Sequence, residues 1–543
     1  MKRSYPLLFT LLLLCSLLPT GLLAQEIVLE GNITNDLTLE ADKDYLLRGY
    51  VYVKNGATLS IEPGTVVRGE RATKATLIIT REGSINAQGT PENPIVFTSN
   101  QPDGSRSVGD WGGIVVLGSA PANCIGDCPI EGGLNNSEGD GLYGGNDPDD
   151  NSGVLSYIRI DWAGIAIQPD NEINALTLGG VGRGTQIDHI QISFSGDDAI
   201  EFFGGTANAS HIVTLGTIDD SYDTDFGWSG NVQFSLAVRY PNRYDISLSN
   251  GFESDNQKNG FLSTPFTQGS FSNMTIIGPG IYGQAVDSRF QAGVNFRRST
   301  QLKVFNSVFI GWPKGVFLEG QNCEQFAQQD SLRFAHNAIV ACTESHDIEL
   351  NGATPSLDFN QWFNNNQNEV YATTNDVGFD PAFTPVAPNF LLNAGSPVLS
   401  GANFSDAALQ NPFFQQVNYR GAFNQLDWTA CWTNWDPQNT HPENPVPCTN
   451  SISEQAPQNP SANLFPNPTQ GNIRLAFKSA TRTPCHVQLY SPQGKLVYQT
   501  TYTPQRPGAQ ILELGIENLP KGVYICSFTQ KNLHKTFKVV KLQ

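Results

Sequence analysis

Ile187-Asp188-His189-Ile190-Gln191-Ile192-Ser193 recurs 22 residues later as Ala209-Ser210-His211-Ile212-Val213-Thr214-Leu215. That interval is about one coil of a parallel β-helix, where each coil lays its strands on the next and hides its neighbour's apolar face. Working outward, Thr58-Leu59-Ser60-Ile61, Thr65-Val66-Val67, Thr76-Leu77-Ile78-Ile79 and Ile95-Val96-Phe97-Thr98 follow at short intervals. Turns such as Pro63-Gly64 and Glu82-Gly83 close them, and no helical 3.6 periodicity competes. A β-sandwich or propeller would also give many short strands, but a uniform texture with a coil-length repeat favours the solenoid. The chain is therefore expected to be all-β, with a right-handed parallel β-helix over residues 25–450. Asn and Gly suit its tight corners, where a left-handed backbone is needed. Residues 139–153 are expected to loop out of the stack. Asn35–Tyr52 is expected to cover one end, and Asn389–Ala402 with Trp428, Trp432 and Trp435 the other.

The net charge of -19 from 51 acids and 32 bases is unevenly spread. The last 81 residues hold ten Lys or Arg against Glu513 and Glu517, so the body between the N-terminal run and this tail carries -29. Nucleic-acid binding depends on Lys and Arg neutralising phosphates, and such a body repels it. Cations, neutral glycans and basic partners remain.

Lys2 and Arg3 precede an apolar run, Leu7 to Leu18, broken by Pro19, Thr20 and Gly21 ahead of Ala24-Gln25. This predicts a signal peptide, residues 1–24, too short to span a bilayer. Leu13 and Leu14 stand where a lipid-anchored Cys15 would need small residues, and no later segment is apolar enough for a transmembrane helix. With Cys15 removed, eight cysteines remain, an even set permitting full pairing. The sequence-near pairs are Cys124 with Cys128, Cys323 with Cys342, Cys431 with Cys448, and Cys485 with Cys526. Connectivity stays open at this level.

A linker rich in Pro, Asn, Ser and Gln, residues 451–462, leads to a module over 463–543. It contains Leu464-Phe465-Pro466-Asn467-Pro468-Thr469-Gln470-Gly471, Val487-Gln488-Leu489-Tyr490 before Ser491-Pro492-Gln493-Gly494-Lys495, and Leu519-Pro520-Lys521-Gly522-Val523-Tyr524-Ile525 before a basic end. In that order these resemble the type A C-terminal sorting domain of the type IX secretion system of Bacteroidetes. The resemblance implies a small antiparallel β-sandwich, the type IX machinery as partner, and a secreted or outer-surface protein. By analogy the module is removed on export.

The body also resembles a family of large secreted Bacteroidetes proteins. The runs that carry this are Tyr45 to Val53, Ile61-Glu62-Pro63-Gly64-Thr65-Val66-Val67, Asp110-Trp111-Gly112-Gly113-Ile114 to Gly118, and Ile200-Glu201-Phe202-Phe203-Gly204-Gly205-Thr206. That family implies a parallel β-helix and life at the cell surface, with no settled activity to transfer.

Two acidic stretches lie about one coil apart: Ser195-Gly196-Asp197-Asp198-Ala199-Ile200-Glu201 and Asp219-Asp220-Ser221-Tyr222-Asp223-Thr224-Asp225. Stacked coils would bring their carboxylates together, which implies either a raised pKa suited to acid-base work or a bound cation. Asp197 and Asp198 are thus the catalytic candidates, and Asp220, Asp223 and Asp225 the calcium candidates, oxygen-rich surroundings favouring Ca²⁺ over zinc. Gly196-Asp197-Asp198 resembles the paired aspartates of polygalacturonases, whose Asn-Thr-Asp, Gly-His-Gly and Arg-Ile-Lys motifs this chain lacks. Asp147-Pro148-Asp149-Asp150-Asn151-Ser152-Gly153 spaces oxygens like the start of an EF-hand, making Asp147 and Asp149 further calcium candidates. Ser152 and Ile158 exclude the complete loop. His189 and His211 are expected to stack as a structural pair. Trp228, Tyr240, Tyr244 and Trp312 are expected mostly as core or capping residues, while their neighbours Asn242, Asp245, Asn250, Glu253, Asp255 and Asn256 keep a glycan-binding groove open. Two functions follow: a non-enzymatic surface protein for adhesion, glycan contact or envelope architecture, or a secreted polysaccharide hydrolase or lyase.

Overall fold

The computed structural model describes residues 26–443 and 462–542, apart from 125, 127, 169–170, 259–260, 380–383, 385, 387, 425, 466–468, 470–471, 480–483, 492–494, 505–507 and 531–532. The expected signal peptide with Cys15, most of the expected linker, and Cys448 lie outside the described residues. The chain divides into two compact units, Met1–Thr449 and Asn450–Gln543.

The first unit is a parallel β-helix built as one 28-stranded sheet wound on itself. Strands stack in parallel on three faces, in register from coil to coil. On the first face Ile95, Ile158, Ile190 and Ile212 align. On the second Leu176, Ile200, Tyr222, Phe252 and Val294 align. On the third Ile61, Ala87, Leu155 and Ile187 align. All of these point inward and are buried. The 22-residue repeat works because its β-branched residues fall on the same inward sites in successive coils. Aromatics fill the wider middle, with Phe202 tilted on Trp228 at 4.7 Å and Tyr222 stacked on Phe252 at 5.1 Å.

The corner between the third and first faces is made by single residues at positive φ. Tyr157, His189, His211, Phe234, Asn273, Asn306 and His336 occupy it in successive coils, with φ between 49° and 58°. Left-handed backbone is costly for such residues, and here it turns the strand sharply while the side chains stack outside. Tyr157 lies on His189 at 4.3 Å and His189 on His211 at 4.4 Å. The expected histidine pair is thus part of a longer structural stack. Burial, then the neighbouring His189, holds the His211 imidazole down to about 4.

Both expected end caps are corrected. Ile27–Ile33 is itself the first rung, paired with Tyr45–Val53. At the other end two short helices, Gln321–Gln328 and Phe359–Asn365, close the core. Asp358 caps the second helix by accepting from Gln361 N, and Phe359, Trp362 and Phe363 are buried against the last coils. No sequence periodicity announces helices this short.

The tryptophan-rich segment instead runs along the flank as a strap. Val398, Phe423 and Trp432 cover the outward side of the first face, where Val213, Leu215, Val238 and Ile310 form an apolar stripe. Its backbone is held by buried side-chain amides in reciprocal pairs. Gln191 Nε2 donates to Asn434 O at 2.7 Å, and Asn434 N donates back to Gln191 Oε1 at 2.7 Å. Gln233 does the same with Gln415, and Asn306 with Asn403. Beyond Asn434 the strap retraces the coils: Arg106 donates to Pro437 O, Arg159 to Pro442 O, and Glu443 pairs with Arg68 at 2.5 Å.

The inserted segment is longer and more ordered than a surface loop over 139–153. Between the strands Gly113–Leu117 and Gly153–Asp161 it forms a small antiparallel pairing, Cys128–Pro129 with Leu142–Tyr143, stapled by a Cys124–Cys128 disulfide. Ile130, Leu134 and Tyr143 bury Tyr52, Ile78, Val115 and Phe203 on the second face. Lys54 anchors its tip through Glu138 and Asp140, both at 2.6 Å.

Two expected disulfides are corrected. Cys323, in the first helix, and Cys342 are unpaired. Backbone groups of Ser299 and Thr300 meet the first thiol, and Trp312 and Val340 the second; burial pushes both up to about 12. Cys485 and Cys526 are also unpaired, because Cys526 faces Leu489, four positions along the strand from Cys485. That offset is about 13 Å, beyond the reach of a disulfide. Cys431 is disulfide-bonded. Unfolding without reductant should therefore expose Cys323, Cys342, Cys485 and Cys526 to maleimide, read by peptide mapping, and leave Cys124, Cys128 and Cys431 unlabelled.

The second unit is a small antiparallel sandwich of a three-stranded and a four-stranded sheet. Ile473, Leu475 and Phe477 from one sheet and Val487, Leu489 and Phe528 from the other share its core.

Candidate functional site

The second face changes character along its outward column. Its outward column runs Tyr52, Ile78, Val115, Thr177, Glu201, Asp223, Glu253, Asn295, Phe317. Apolar residues under the insertion thus give way to three carboxylates stacked at successive rungs. Strand spacing in a sheet is about 4.8 Å. Two unit charges at that separation repel by about 3–4 kcal/mol at an effective dielectric near 20, a cost a folded chain carries only when something offsets it.

The corner before this face adds more. Asp197 and Asp198 sit one coil from Asp219 and Asp220, as the spacing predicts. Asp198 Oδ1 accepts from Asp220 N at 2.7 Å, and Asp220 Oδ1 accepts from Asn250 N in the next coil. Carboxylate oxygens of Asp198, Glu201 and Asp223 all lie within 4.8 Å of one another, as do those of Asp197, Asp198 and Asp219. Burial, reinforced by these neighbours, pushes Asp197, Asp198, Glu201, Asp219 and Asp223 well above the usual carboxylate range. Asp220 is pushed up to about 8 by burial and Asp219.

Polar groups converge on the same place. Asn174, 2 % exposed, donates to Glu201 Oε2 at 2.5 Å, yet its own carbonyl oxygen has no partner. Thr177 Oγ1, next to Glu201 in the column, is likewise buried and unpartnered. Buried oxygens without donors are uncommon in a native interior, and these border the carboxylates. Arginines stand at the edge. Arg239 is fully buried and donates to the carbonyls of Ile218 and Asp219, and Arg297 binds Asp255 at 2.8 and 3.1 Å and pairs with Glu253.

Of the sequence candidates, Asp197, Asp198 and Asp223 enter the convergent groups. Asp220 adjoins them with one oxygen given to Asn250 N. Asp225 lies two positions along from Asp223 and accepts from its own neighbour, Phe226 N. Asp147 and Asp149 are elsewhere: Asp147 caps Asp149 N at 3.0 Å, and Asp149 pairs with Arg183 at 2.5 Å. Trp228 and Trp312 are buried in the core, as most of these aromatics are expected to be. Asn174, Thr177 and Glu253 join the site without having been singled out as ligands or acid-base groups. The exact two-residue alternation of Glu201 and Asp223 with inward Ile200, Phe202 and Tyr222 is the signal that could have found Glu253.

A carboxylate-lined face on a wound parallel sheet, ahead of a separate antiparallel module, defines a β-helix protein with a small C-terminal domain. Residues 31–382 match the pectate-lyase-like beta helix domain family, most of the chain, and the chain belongs to that family. Residues 463–542 match the secretion system C-terminal sorting domain, which directs the protein to the cell surface or outside through the type IX machinery. Comparison with the curated proteins gives no match. Among solved structures, the enzymatically active domain of tailspike protein 2 of bacteriophage CBA120 aligns over 93% of this chain and 72% of that one, with 9% identity and a TM-score of 0.29. No helix among the described residues is long and apolar enough to cross a membrane.

Proposed function

We propose that the secreted body binds glycans across its second face, at a cleft organised by a calcium ion held between Asp198, Glu201 and Asp223. The observation that carries this is the convergence of those three carboxylates beside the unpartnered carbonyl oxygen of Asn174. Calcium takes six to eight oxygens at about 2.4 Å, so donors on opposite sides of it stand about 4.8 Å apart. The ion would offset the repulsion along the column, accept the orphaned amide oxygen, and leave positions for sugar hydroxyls or carboxylates.

Titration with Tb³⁺, read by sensitised luminescence and displaced by Ca²⁺, tests the cation site. Wild-type protein should give a saturable signal, and Asp223→Asn with Glu201→Gln should lower affinity at least tenfold. No saturable binding by the wild type would sink the reading.

A hydrolase on the same face is the second reading. Carboxyls kept protonated by burial can act as acids, and a separation below about 5.5 Å suits a retaining mechanism better than an inverting one. Reducing-sugar release from a polysaccharide panel, lost in Asp198→Asn, would favour it over binding alone.

A further inference from the structure

The tip of the inserted segment meets the coil at a lysine, an asparagine and two carboxylates. Lys54 follows the strand Tyr45–Val53 and is 5 % exposed. Its backbone is fixed on both sides, N donating to Ile33 O at 3.0 Å and O accepting from Ala57 N at 3.2 Å. The side-chain Nζ lies 2.6 Å from Asp140 Oδ2 and 2.6 Å from Glu138 Oε2. Asp140 is 8 % exposed, and its same Oδ2 accepts from Asn136 Nδ2 at 2.7 Å. One carboxylate oxygen therefore holds the lysine nitrogen and the asparagine amide together. Two residues before Lys54, buried Tyr52 donates to Leu134 O at 2.8 Å and fixes the tip against the strand.

The other half of the Asn136 amide is constrained as well. Its Oδ1 accepts from the backbone N–H of Glu138 at 2.9 Å and of Asp140 at 3.3 Å. Two donors on one carbonyl oxygen draw charge from Cγ and stand where an oxyanion would form if a nucleophile added there. A lysine amine is such a nucleophile once it has lost its proton. Hydrogen bonds to Asp140 and Glu138 hold Lys54 above its usual range, so at rest it is an ammonium. The base that could take its proton, Asp140, is already in contact with it. An ion pair accounts for the lysine and the carboxylates, but it makes no use of the fixed and polarised amide beside them.

We propose that Lys54 and Asn136 become joined by an isopeptide bond in the folded protein, with Asp140 carrying the protons. The bond formed is Nζ–Cγ, and the bond broken is Cγ–Nδ2. Lys54 loses two protons in passing from ammonium to amide N–H. Asp140 ferries them to Nδ2, which departs as ammonium, and Asp140 ends as the carboxylate it was at the start. No oxidant or cofactor enters. Free side chains do not react in this way at a useful rate, and the fixed contact supplies the orientation, which in well-aligned intramolecular pairs is equivalent to about 10⁵ M or more. The product is a covalent clasp between the strand Tyr45–Val53 and the insert tip. Unlike the Cys124–Cys128 staple, it would hold in a reducing medium.

Tryptic mapping of the full chain after denaturation and reduction tests this. Wild-type protein should resist cleavage after Lys54 and give one branched peptide in place of the separate Lys54 and Asn136 peptides, lighter than their sum by one ammonia. Asn136→Ala and Asp140→Asn should each restore cleavage after Lys54. Glu138→Gln, at an exposed side chain that the chemistry does not need, should keep the branched peptide. Separate, unmodified peptides from the wild type would overturn the proposal whatever the variants do, so a variant that fails to fold cannot rescue it. A branched peptide lighter by one water, joined through Glu138 or Asp140, would also overturn it, because it names a different acyl group. Persistence of the ammonia loss in Asp140→Asn would remove Asp140 from its role as proton carrier.

Discussion

In chelator, the melting temperature of the body should fall as pH rises from 6.5 to 8, and Ca²⁺ should abolish or reverse that fall. The sign follows from which state holds more protons. Asp220 is pushed up to about 8, and Asp198, Glu201 and Asp223 are raised well above the carboxylate range, whereas the same groups in the unfolded chain titrate near 4. Between these limits the folded chain binds more protons, so stability present at low pH is lost as pH climbs through the folded values. His211 works the other way: held down to about 4, it favours the fold increasingly as pH rises, with about half its slope left at 6.5 and little beyond about 7.5. Several raised carboxyls outweigh this one group from 6.5 upward, and the clean window lies above about 7.5. A four-unit shift on a single buried carboxyl corresponds to an upper bound on the order of several kcal/mol, so the effect should be large. Asp223→Asn should flatten the slope in chelator and weaken the response to Ca²⁺. A melting temperature that rises with pH in chelator would sink the account.

Removing the three amide clamps should free the strap without unwinding the coils. In Gln191→Ala, Gln233→Ala and Asn306→Ala together, the backbone N–H and C=O groups of Asn434, Gln415 and Asn403 lose their partners. Each buried group left unpaired costs about 1–3 kcal/mol, enough in sum to make local opening cheap. Hydrogen exchange should show residues 398–443 losing protection while strands such as Gln186–Ser193 keep theirs. Loss of protection through both at once would mean that strap and coils unfold as one unit.

The coil was legible where its length stays constant. Asp198 and Asp220 are 22 residues apart, and their juxtaposition could be read from the repeat alone. Glu253 and Asn295 were not reachable in that way, because the segments between successive second-face strands grow to 30 and then 42 residues, so register ceases to be a sequence period. The strap escaped for another reason. It is held by side-chain amides donating to and accepting from an irregular backbone, which imposes no alternation on the strap's own sequence. Its tryptophans look like an end cap because a cap and a flank bury the same kinds of residue. Cys485 and Cys526 failed as a pair because proximity in a hairpin sheet depends on strand offset, which only the register reveals.

The strap also decides where a load would enter the molecule. Glu443 pairs with Arg68, so the described part of the strap ends beside the earliest coils. Tension applied past Glu443 would peel one clamp at a time, as a zip opens from its end, and would not pull on the winding as a whole. The carboxylate column of the second face would therefore keep its shape under drag until the last tooth gave way.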